Sequence, residues 1–199
     1  MPPPGGRRQG GVTLVELVVV VAIIGILAGV AIFMFTRQTR KAKSVEVKAL
    51  FGEMKVREQA FYLENDTYLP TGEDDDDFFP TDTPPAGTTQ TYDLTASAPP
   101  PDPYATKFPA PAWKSLRINP DRDQLYCVYV AIAGAAGDDT NVGAKAAAAP
   151  FSLGGASNPL PSTDWYYLLA ECDFDGDGTP STYFTLSDSK TNMVDNEGE

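Results

Sequence analysis

The sequence predicts an α+β protein: a long N-terminal spine helix, membrane-spanning in its first half, packed on an antiparallel sheet of about four strands. Three observations lead there. An unbroken apolar run lies near the N-terminus, helical spacing continues beyond it to about Glu64, and the C-terminal half holds aromatic and β-branched runs separated by Gly, Pro and Asp turns.

From Leu17 to Phe35 the chain has 19 uncharged, mostly large aliphatic residues. At 1.5 Å per helical residue they reach about 28 Å, close to the ~30 Å hydrocarbon core of a bilayer. Glu16 stands at the start of this run, where a charge is costly in lipid and needs a partner or a function. Residues 1–11 are rich in Pro and Gly and carry Arg7 and Arg8. The Gly10-Gly11 break precedes the apolar stretch, whereas an ordinary secretory leader places its apolar stretch before the cut and loses it. A plain single-pass anchor would need neither the glycine break nor the carboxylate.

Gly11 followed by Val12-Thr13-Leu14-Val15-Glu16-Leu17 resembles the leader junction of type IV prepilins and type II secretion pseudopilins. The resemblance is specific over residues 7–35. It continues more weakly to about Leu69, where the run from Glu58 to Tyr68 looks like the end of a pilin spine helix. It implies cleavage between Gly11 and Val12 by a prepilin peptidase, N-methylation of Val12, and pairing of Glu16 with a terminal amine in an assembled filament. The implied partners are copies of the chain, other pilins and, before assembly, inner-membrane lipid. The implied location is a single pass with the C-terminal domain outside the cytoplasm, then an extracellular pilus or periplasmic pseudopilus. Two positions depart from the family: Val12 replaces the usual first Phe, and Phe33 replaces a usual proline, which puts a kink there in doubt.

On these grounds residues 1–11 are the leader, 12–35 the transmembrane and assembly half of the spine, 36–64 its amphipathic half and 65–199 the globular head. A count of Lys and Arg alone favours the opposite orientation, because Arg37, Arg40, Lys41 and Lys43 follow the span. Under the resemblance those side chains snorkel to lipid phosphates. Gly25 and Gly29 form a small-xxx-small step that suits close helix approach or a plain lipid-facing anchor equally. In the second half Val47, Leu50, Met54 and Phe61 form one stripe, flanked by Lys48, Glu53, Lys55 and Glu58. The first half has no such partner within its own chain, so lipid or copies of itself must cover it.

Residues 70–120 hold 11 of the 18 prolines, and 70–111 reads as a surface loop containing the acidic run Glu73–Asp77 and then Phe78-Phe79. The sheet is expected over 112–187. Strand signals fall at Trp113–Ile118, Gln124–Ala133, Asp164–Phe174 and Ser181–Ser187, with a small-residue loop from Gly134 to Pro161. Cys127 and Cys172 sit in two of these runs; an oxidising compartment favours a disulfide, and two buried thiols are the alternative.

The formal net charge is −12, and removal of residues 1–11 takes away two Arg and no acid, leaving −14. That balance argues against nucleic acid as a partner. The chain has no His, which removes imidazole acid–base chemistry and His metal ligands. No cofactor is implied with certainty. The one metal-like pattern is Asp173-Phe174-Asp175-Gly176-Asp177-Gly178, with carboxylates at alternate positions as in the first part of a calcium loop. Phe184 occupies the position where such a loop would need its Glu, so this is not an EF-hand. Asp173, Asp175 and Asp177 therefore read either as a structural calcium site or as a Gly/Asp turn. The leading function is a structural filament subunit, either a pilin or a pseudopilin or minor pilin, and not an enzyme. Membrane-anchored adhesin is the alternative from another class, with Phe78-Phe79 displayed for recognition. A carboxylate pair among Glu171, Asp173 and Asp175 is the weak enzymatic reading.

Overall fold

A computed structural model of the chain describes residues 13–93, 109–120 and 122–196. The leader, the Gly11–Val12 junction and residues 94–108 of the Pro-rich segment lie outside these residues, as does the Phe33 side chain.

One helix, α1, runs Leu14–Asn65. No proline occurs between Pro4 and Pro70, and the helix continues without a break through position 33. It ends where Asp66 turns left-handed (φ 56°) and its N–H returns to the Tyr62 carbonyl at 2.8 Å. The chain divides into two compact units, residues 1–39 and 40–199.

In the first unit the helix is apolar and uncovered. Its large aliphatic residues between Leu14 and Phe35 are 50–78% exposed, and by length and composition the segment can cross a membrane.

The second unit holds the rest of α1 and a four-stranded antiparallel sheet in the order β3-β4-β5-β6. The strands are β3 Cys127–Gly134, β4 Trp165–Cys172, β5 Ser181–Leu186 and β6 Met193–Asp195. Alternate residues of β3 and β4 point to opposite faces. Tyr129, Ala131, Tyr166, Leu168 and Ala170 pack with Val47, Leu50, Phe51 and Met54 of α1. Val130, Ile132, Tyr167 and Leu169 pack on the other face with Phe78, Phe151, Leu153 and Trp165. All of β4 is buried, so its sequence reads as a continuous apolar run rather than a polar/apolar alternation. Cys127 and Cys172 are direct partners across β3 and β4, joined by a disulfide with Cα atoms 4.4 Å apart.

Several expectations change. Trp113–Ile118 is not a strand: Pro109–Leu116 is helix α2, whose Ala112, Trp113 and Leu116 bury on one side at helical spacing. The fourth sheet strand is instead β6, beyond the expected C-terminal limit of 187. Gln124–Ala133 is interrupted at Tyr126. Gln124–Leu125 (β2) pairs with Gln90–Thr91 (β1), while Glu46 of α1 accepts the N–H groups of Tyr126 (3.0 Å) and Cys127 (3.2 Å). The small-residue loop contains a short helix, α3, Ala144–Ala147. The acidic segment is only partly solvated, because Asp75 is buried. Phe78 and Phe79 are core residues on the two faces of the sheet, which removes them as an exposed recognition surface.

The charges beside the buried stripe of α1 also differ from a solvated flank. Lys55 donates to Thr185 Oγ1 (2.8 Å), Leu186 O (3.2 Å) and Ser189 O (2.7 Å). Glu53 accepts Asn119 N–H (2.9 Å), and the fully buried Glu58 accepts Leu69 N–H (3.0 Å). These side chains satisfy backbone groups that no ladder reaches. On the outward side Val45, Val56 and Leu63 remain 59–77% exposed.

Candidate functional site

Thr13 and Glu16 form a reciprocal cap at the start of α1. Glu16 Oε2 accepts the Thr13 N–H (2.9 Å) and hydroxyl (2.8 Å), while Thr13 Oγ1 accepts the Glu16 N–H (3.2 Å). This is the capping box, which satisfies helix-end N–H groups that have no partner within the helix. Sequence reasoning singled out Glu16 and missed Thr13. The signal was present, since Thr-x-x-Glu immediately before an apolar run is its pattern. Gly11 and Val12 lie outside the described residues.

The second cluster is the loop after β4. Asp173 is buried and its carboxylate accepts the N–H groups of Gly176 (2.7 Å) and Gly178 (3.1 Å). Asp177 accepts Thr179 N–H at 2.7 Å, and Gly176 and Gly178 take positive φ. One carboxylate oxygen from each of Asp173, Asp175 and Asp177 lies within 4.8 Å of the others. The donor set fits a hard cation in kind but offers three side-chain oxygens, where calcium takes six to eight ligands. A guanidinium already stands beside it: Arg40 of α1 pairs with Asp175 at 2.9 Å. Lys43 donates to the carbonyls of Phe174 (3.1 Å) and Gly87 (3.4 Å) and lies 4.7 Å above the Tyr126 ring. Thus two of the four basic residues assigned to lipid phosphates are held by the head. Arg37 and Lys41 remain exposed.

A groove of about 430 Å³ lies between α1 and the residues Pro120, Arg122, Leu125 and Tyr126, with Glu46 and Glu53 among its lining residues. Burial raises the Glu46 pKa, against the lowering effect of bonds from Tyr126, Tyr129 and Cys127. Both carboxylates are committed to backbone N–H groups, so the groove gains no acid–base pair from them. Glu171, the centre of the weak hydrolytic reading, is instead paired with Lys145.

The prokaryotic N-terminal methylation motif matches residues 6–32. A type IV major pilin protein, PilA, of Myxococcus xanthus is 41% identical over 61 residues, which cover 31% of this chain and 28% of that protein's length. No solved structure matches. The match is confined to the N-terminal part of the chain, which carries the prepilin-type motif and, over 61 residues, is similar to a type IV major pilin.

Proposed function

We propose that the chain is the structural subunit of a type IV pilus-like filament. It is inserted in the inner membrane as a precursor, cut between Gly11 and Val12 by a prepilin peptidase, methylated on Val12 and assembled through α1. The observation that carries this reading is the uncovered apolar half of α1, Leu14–Phe35, which water cannot accommodate and which only lipid or other helices can cover. Exposed Val45, Val56 and Leu63 add apolar surface for neighbouring subunits. A pseudopilin or minor pilin shares these features and differs in copy number and place.

The test is mass spectrometry on filaments sheared from native cells. A dominant N-terminal peptide beginning at methylated Val12 is expected; its confinement to membranes indicates a minor pilin or pseudopilin, and an intact Met1 terminus returns the plain anchor. Glu16→Ala is expected to leave membrane insertion intact and reduce sheared filament at least tenfold, since a neighbour's Val12 amine loses its counter-charge in a low-dielectric core. Glu16→Gln retains an acceptor for Thr13 but no charge. Full filament yield from that variant would leave the cap as the sole role of Glu16.

The same proposal assigns structural calcium to Asp173, Asp175 and Asp177, with backbone carbonyls completing the shell. Calcium is expected to raise the thermal midpoint of the detergent-solubilised chain relative to chelator. Identical melting curves would leave Arg40 as the cation that holds this loop.

A further inference from the structure

The acidic segment and the small-residue loop meet over the outer face of β4. Asp75 Oδ2 accepts the backbone N–H groups of Lys145 (2.8 Å) and Ala146 (3.0 Å), whereas Oδ1 is buried without a hydrogen-bond partner. A Cβ at Gly143 would lie 2.2 Å from Asp75 Cγ, so the approach depends on glycine. The charged and titratable groups around this contact are Asp74, Asp76, Lys145, Tyr167 and Glu171. Asp74 Oδ1 accepts the Asp75 N–H at 2.6 Å, and the Tyr167 hydroxyl accepts the Gly143 N–H at 3.1 Å. The Lys145 ammonium turns to Glu171 and to Asp76 (2.8 Å), over the Phe78 ring. Among the described residues, no side-chain cation bonds to the Asp75 carboxylate itself.

We infer that Asp75 is the pin of an acid-closed clasp that fastens residues 143–147 to the head: protonated it holds the turn in place, ionised it loosens it. The proton belongs on Oδ1, the oxygen with no donor, which leaves Oδ2 to accept both amides. An anion there is buried, lacks half of its hydrogen bonds and stands beside the charge of Asp74. Opening returns Asp75 to water and uncovers the packing of Phe78, Ala146, Phe151 and Leu153.

Burial first, and then Asp74, push the Asp75 carboxyl up to about 6 from 3.8, against the bonds from Ala146 and Lys145. The closed form therefore binds the proton more tightly than the open one, and opening becomes more frequent as pH rises through this interval. From pH 4.5 to 7 the increase is on the order of twentyfold. Hydrogen exchange on the detergent-solubilised full chain reads this directly, at the Lys145 and Ala146 amides, after correction for the intrinsic pH dependence of exchange. Protection there is expected to fall about twentyfold over that range through local opening, and the Asp75→Asn chain is the reference for any pH-dependent loss that arises elsewhere in the head. Asp75→Asn is expected to make the profile flat. Wild-type protection that is unchanged with pH, or the same slope in Asp75→Asn, overturns the clasp. If the variant also loses β4 protection, the wild-type profile alone decides.

Discussion

Replacing Cys127 and Cys172 together by alanine is expected to lower the unfolding free energy of the head by about 4 kcal/mol. The bridge closes a loop of sequence separation 45 between directly opposed strand positions. In the chain-entropy account, cutting it restores that freedom to the unfolded chain. The two sulfurs lie in the core between α1 and the sheet, so serine would add the cost of a buried hydroxyl; alanine isolates loop closure. Urea unfolding of the detergent-solubilised chain, with and without reductant, measures the difference. A loss below about 1 kcal/mol would mean that pairing of β3 with β4 already restricts the unfolded ensemble.

The second large effect is a stability that falls as pH rises past neutrality. Glu58 is fully buried with one carboxylate oxygen on Leu69 N–H and the other without a partner. Burial pushes its pKa up to about 8, against the lowering effect of the Leu69 bond. In the unfolded chain it returns to about 4.5, so the folded state holds the proton more tightly and loses stability as pH rises between these values. From pH 6.5 to 8.5 the loss is about 2 kcal/mol. Glu58→Gln keeps an acceptor for Leu69 and carries no charge, so its unfolding free energy is expected to be nearly flat over that interval. Asp75 titrates lower, at about 6, and leaves this window largely to Glu58. A variant that retains the full wild-type slope would move the proton to another group.

The apolar half of α1 was legible because it obeys one local rule, an uncharged, mostly apolar run over a bilayer's thickness. β3 and β4 were legible for a related reason, since both faces of the sheet are covered and their sequences are almost wholly apolar, while β5 was legible from its alternation. Trp113–Ile118 misled because aromatic and aliphatic residues three apart suit a short helix as well as a strand, and α1 and Tyr92 decide between them. β6 is only three residues, too short for a strand pattern to show, and is recruited by the edge of β5.

The candidate site divides the same way. Glu16 stood out because a carboxylate at the edge of an apolar run is costly wherever the chain folds, and its cap with Thr13 spans only three residues. The alternate spacing of Asp173, Asp175 and Asp177 was likewise local. Their engagement by Arg40 joins residues 135 positions apart in sequence, and the burial of Asp75 depends on Lys145 and Ala146 some 70 positions on. Composition assigns both acidic clusters to water. By itself the sequence determined the helix and the largely apolar strands, set by short-range spacing and solvent preference. Only the tertiary structure decided which charges are buried, because a carboxylate leaves water only where distant backbone N–H groups replace its hydration.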